Sequence, residues 1–155
     1  MVNEKLSQAQ WRTLQLTPLW VFSAIVGRQR NFEPLELSAF WRAIDEAAAG
    51  ADGLANAVPA ALSSDFSAFL KGFEEEPRSV VTGLWDVVTI LNSLDREVGP
   101  PFVATVLEIG ERFCRARGSF GRVISREDAQ TLLLLAALLE LEPSGSGAFE
   151  RDAFA

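Results

Sequence analysis

Seven arginines fall in two short segments, 28–30 and 112–126, that contain no Asp or Glu: Arg28, Arg30, Arg112, Arg115, Arg117, Arg122 and Arg126. Guanidinium groups gathered in this way can grip a carboxylate or a phosphate with two parallel hydrogen bonds. They are half of the 14 basic residues, and the rest of the chain sets the other half against 21 acidic ones, for a net charge of −7. If the two segments are neighbours, a basic patch sits on an acidic molecule and offers a site for an anion or an acidic partner. The competing reading is that arginines near helix C-termini complement the helix dipole and stay solvated.

The rest of the side-chain chemistry is defined by what is missing. The chain of 155 residues has no histidine, no tyrosine and one cysteine, Cys114. A serine-histidine triad and a Cys/His zinc site are thereby excluded, and no internal disulfide can form. Carboxylate-dependent catalysis or a small-ligand pocket between helices stays open, but no residue nominates itself as a catalyst, so a non-enzymatic protein is expected. An overall acidic chain is a poor wrapper of nucleic acid. Arg112 and Arg115 could lower the thiol pKa of Cys114; the competing reading is a buried, inert thiol. The run Glu74-Glu75-Glu76 could face a cation, or simply be solvated at a helix end. Phe149 and Phe154 could dock in a partner's groove.

These residues must be positioned by helices, because no segment makes a convincing strand. Ser7 starts a short helix carrying Trp11 and Leu14, and Thr17-Pro18 opens a second, almost wholly apolar one ended by Gly27. Pro34 restarts a helix with Leu35, Leu37, Phe40, Trp41 and Ile44 as its stripe. Residues 47–64 read as a loop with one short helix, turning at Asp52-Gly53. Phe66, Phe69, Leu70 and Phe73 share a face after Ser64 or Asp65. A longer helix runs from Pro77 to Asp95, with Val80, Val81, Leu84, Trp85, Val88, Leu91 and Leu94 as its apolar positions. Gly99-Pro100-Pro101 breaks the chain before a helix presenting Phe102, Val106, Ile109 and Phe113. Ser125 caps the last helix, whose unbroken apolar run Leu132–Leu139 predicts the central, fully enclosed helix of the fold. The four tryptophans are expected in the core. The fold class is therefore all-α, a compact bundle of about seven helices over residues 1–142, with a flexible tail at 143–155.

Two helix-loop-helix units can be laid over each other. In one, Phe32 follows the loop and Glu36 comes four residues later; in the other, Ile124 follows the loop and Asp128 comes four residues later. With the segments Gln29-Arg30-Asn31-Phe32-Glu33-Pro34-Leu35-Glu36 and Gly121-Arg122-Val123-Ile124-Ser125-Arg126-Glu127-Asp128, and with the helices of 78–141, the chain resembles the TerB-like helical family named for tellurite resistance, over roughly residues 6–141. That resemblance implies a divalent cation, such as Ca, Mg or Zn, held by carboxylates, here Glu33, Glu36, Glu127 and Asp128. The family's aspartate-glycine pairs are replaced by Gln29-Arg30 and Gly121-Arg122, which removes ligands and adds repulsion, so a degenerate site without a cofactor is expected. Glu36 and Asp128 also suit the first turn of a helix by charge alone. The N-terminal segment MVNEKLSQAQ has no signal-peptide core and no stretch reaches the ~20 apolar residues of a membrane span, so a cytoplasmic protein is expected. The expected role is an interaction or regulatory module whose arginine-rich face takes another protein or an acidic ligand, its oligomeric state open.

Overall fold

A computed structural model describes residues 6–27, 32–117 and 123–142. Seven α-helices occupy them: α1 (Gln8–Val26), α2 (Pro34–Ala49), α3 (Leu54–Ser64), α4 (Phe66–Glu74), α5 (Val80–Asn92), α6 (Gly99–Arg117) and α7 (Arg126–Leu138). No strand is present among the described residues, and no helix there is long and apolar enough to cross a membrane. The all-α expectation holds.

The central helix is α1, and not α7 as the apolar run predicted. Helices α3, α4, α5, α6 and α7 all pack on α1. Of α7, only Asp128 and Leu135, with Leu139 just beyond, are buried, while Leu133 and Leu134 stand 72% and 62% exposed. A run of leucines says that a helix is apolar on every side; it does not say that neighbours exist to cover every side.

Helix α1 is also continuous through Thr17-Pro18, where a break was expected. Proline at this position removes the bond to the Leu14 carbonyl and crowds it, at about 3 kcal/mol. Against this, Leu14, Leu16, Leu19, Trp20, Val21 and Phe22 are all fully enclosed, worth on the order of 10 kcal/mol together. Burial decides the outcome. Ser7 caps the helix with a capping box closed by Gln10, and Gly27 ends it at φ 76°. That left-handed turn is open to glycine without strain.

The short helix expected within 47–64 is α3, and the same override carries it through Pro59 to Ser64. Leu54, Ala55, Val58 and Leu62 form its buried stripe despite Pro59, after Gly53 turns the chain at φ 60°. In α5 the buried residues are Gly83, Leu84, Val87, Ile90 and Leu91, whereas Val81 and Trp85 are exposed, Trp85 by 71%. The sequence carries two apolar stripes here, and Gly83 selects between them. A Cβ at Gly83 would overlap the Trp20 ring, so α5 lies on α1 through the position with no side chain. Trp41 is likewise partly exposed, its Nε1 donating to the Ser63 carbonyl oxygen at 3.1 Å. Of the four tryptophans, Trp20 alone is fully enclosed and Trp11 is half-buried.

Beyond the predicted break, Pro100 and Pro101 form the first turn of α6, where their missing N–H groups are not needed. Its expected stripe is buried in full: Phe102, Val106, Ile109 and Phe113. Phe22 of α1 stacks on Phe40 of α2 at 4.1 Å, lies 4.3 Å from Phe32 and meets the edge of Phe113 at 4.9 Å. This cluster joins α1, α2 and α6 and sets the spacing of the surface described next.

Candidate functional site

Helix α2 packs mainly on α3 and α6, and an open groove of ≈ 1080 Å³ runs along its junction with α6. Ala104, Leu107 and Ala116 give it an apolar floor, and its rims carry Arg42 and Glu46 from α2 with Glu108, Glu111, Arg112 and Arg115 from α6. A second hollow of ≈ 260 Å³ shares Arg42, Glu46, Arg112 and Ala116 and continues toward Leu35, which is 84% exposed.

The α6 arginines in the groove are already paired. The Arg112 Nε donates to Glu108 Oε2 at 3.1 Å, and its Nη1 lies 3.6 Å from Glu46 Oε1. Arg115 pairs with Glu111 at 2.5 Å, one turn back on the same helix. All four of these α6 side chains are between two-fifths and about half exposed, and pairs of that kind are worth about 0–1 kcal/mol. An incoming carboxylate can therefore displace Glu108 or Glu111 at little cost and take over the guanidinium. Arg42 is exposed and pairs with no carboxylate among the described residues. The sequence reading did not single it out, because it sits in α2 beside Asp45 and Glu46; its register with α6 is visible only in the fold.

The arginines expected to form one face thus divide. Arg112 and Arg115 line the groove. Arg117, its side chain 32% exposed, serves the fold: its Nη1 donates to the Ile25 carbonyl oxygen at 3.4 Å, its Nε lies 3.7 Å from Asp128 Oδ2, and it stands 5.6 Å over the Phe113 ring. Arg126 begins α7 and is exposed. Arg28, Arg30 and Arg122 lie outside the described residues, as do Phe149, Phe154 and the tail at 143–155. The Arg117–Ile25 bond does put the ends of α1 and α6 side by side.

The carboxylates implied as metal ligands are placed at two helix starts. Glu36 accepts a hydrogen bond from the Glu33 backbone N–H at 2.9 Å, and Glu33 completes the capping box of α2. Glu127 is exposed in the first turn of α7. Asp128 is buried, and Ser125 Oγ accepts from its N–H at 3.1 Å. No group of three or more His, Cys, Asp or Glu side chains with metal-binding geometry occurs among the described residues.

Cys114 is fully buried beside Asp128, and burial, reinforced by that carboxylate, pushes its thiol up to about 12. The flanking arginines do not activate it.

A polar cluster that sequence reasoning missed lies across the molecule. Glu76 is buried, unlike Glu74 and Glu75. Arg78 donates to it at 2.7 Å, to Asp86 at 3.0 Å and to Thr13 Oγ1 at 3.1 Å, and lies 5.0 Å over the Trp20 ring. The hydrogen bond from Arg78 holds the Glu76 carboxyl below its ordinary value against the opposing effect of burial. This cluster ties the segment between α4 and α5 to α1.

Comparison of the chain with family models, with curated proteins and with solved structures finds no match.

Proposed function

We propose that the protein is a non-enzymatic helical interaction module, TerB-like in outline with a degenerate metal site. Its binding surface is the groove between α2 and α6, and its partner an acidic segment of another protein or a comparable anion. The supporting observation is that Arg42, Arg112 and Arg115 line one apolar-floored groove in exposed positions. A partner carboxylate exchanges with Glu108 or Glu111 for a guanidinium, and apolar partner side chains cover Ala104 and Leu107. Exchange of weak surface pairs gives specificity and salt sensitivity more than raw affinity.

Thermal-shift titration of metal-stripped protein tests this reading at fixed ionic strength. Poly-glutamate or polyphosphate is expected to raise the melting temperature, and the triple variant Arg42→Glu/Arg112→Glu/Arg115→Glu to lose that rise while melting within a few degrees of the parent. A ligand at 100 times its dissociation constant stabilises the native state by ~2.7 kcal/mol, a readable shift in a domain of this size. Stabilisation by calcium, magnesium or zinc with no response to polyanions would contradict it and favour a metal-dependent module built on Glu33, Glu36, Glu127 and Asp128.

A further inference from the structure

Among the described residues the outer face of α7 is uncovered and carries the exposed leucines Leu133 and Leu134. Of its exposed positions, Arg126, Ala129, Gln130, Leu133, Ala136, Ala137 and Glu140 share one helical stripe, with the exposed Glu127 and Leu134 on its flank. The stripe has a centre and two ends. Leu133 lies seven residues from Arg126 and seven from Glu140, so the opposite charges stand four turns apart on one side, about 21 Å along the axis. The Leu139 N–H still donates to the Leu135 carbonyl and the Glu140 N–H to that of Ala137, only three residues back, so Glu140 stands just past the helix end after a tightened last turn.

We propose that this face pairs with the same face of a second copy, α7 against α7 in antiparallel orientation, about a twofold axis at Leu133. A twofold contact must be self-complementary, each residue meeting its counterpart reflected through the axis. Here the reflection places Arg126 opposite the second copy's Glu140 at both ends, and Ala129 opposite Ala137. Parallel pairing would set arginine on arginine and glutamate on glutamate. Arg126 and Glu140 offset each other along this stripe, while Glu127 on its flank adds one negative charge. The alanines allow the two helices to approach closely around the paired leucines. A single helix face is small beside a standard interface of ~800 Å² per partner, so the dimer is concentration-dependent.

Sedimentation velocity of the full chain over a hundredfold concentration range tests the proposal. A reversible monomer–dimer equilibrium is expected, abolished by Leu133→Arg. Arg126→Glu and Glu140→Arg should each weaken it about tenfold, and the double variant R126E/E140R should restore it. All these positions are exposed, and unchanged circular dichroism and melting confirm that the fold survives. Orientation is read by oxidising equimolar Ala129→Cys and Ala137→Cys proteins together: the mixed pair should cross-link, and Ala129→Cys alone should not. A monomer throughout the range, association indifferent to Leu133→Arg, failure of R126E/E140R to restore it, or cross-linking of Ala129→Cys with itself would overturn the proposal.

Discussion

At the residue scale, Arg78 and Glu76 govern how α5 sits on α1. Arg78 serves two carboxylates, a threonine hydroxyl and the face of Trp20. Arg78→Met leaves Glu76 buried without its strongest partner, and removal of one member of a buried pair costs about 3 kcal/mol. A lowered urea midpoint checks this. Because the folded pKa of Glu76 lies below its ordinary 4.5, its contribution is complete above that value and is lost as pH falls through the folded pKa. The stability gap between the parent protein and Glu76→Gln is therefore expected to narrow from pH 6 to pH 3, and a gap constant across that range would contradict the account. Cys114, at about 12, should resist a disulfide reagent at pH 8 until urea unfolds the chain. The sequence could suggest the buried thiol. It could not show that the third glutamate of a charged run turns inward, because that depends on Arg78 being held against Trp20.

At the element scale, helix number, order and most caps were legible, and the layering was not. Ser7 and Ser125 cap helices through their hydroxyls as expected, whereas α5 is capped by Ser79 and does not start at Pro77. The misreadings share one cause: local chemistry was weighed without the neighbours. Pro18 and Pro59 looked like breaks because their ~3 kcal/mol cost is local, while the burial that outweighs it comes from other helices. The apolar richness of α7 looked like a central position because periodicity does not count neighbours. Gly83 was the available clue to the register of α5. Gly83→Ala gains up to ~1 kcal/mol in helix propensity but overpacks Trp20, typically by 1–3 kcal/mol; net destabilisation is expected in urea unfolding. Asp128 is the corresponding anchor of α7, lying beside Arg117 and Cys114. Asp128→Ala should cost about 1–3 kcal/mol and lower amide-exchange protection first in α7, whereas a change confined to metal response would support its alternative role as a ligand.

At the scale of the whole molecule, the asymmetry of charge visible in the sequence became a groove only through packing. Phe22, Phe40 and Phe113 bring α1, α2 and α6 together, and that places Arg42 across from Arg112 and Arg115. Half of the candidate site was legible as arginines in an acid-free segment. The rest was not, since Arg42 is followed in sequence by Asp45 and Glu46, and Arg117 turns from the groove toward Asp128 and the Ile25 carbonyl. The most direct test of the account is a fluorescence-anisotropy titration of labelled poly-glutamate with the full chain at low and moderate salt. The account predicts saturable binding that weakens with salt and is lost in Arg42→Glu/Arg115→Glu. Binding that survives this double reversal, or no binding by the parent protein at low salt, would contradict it.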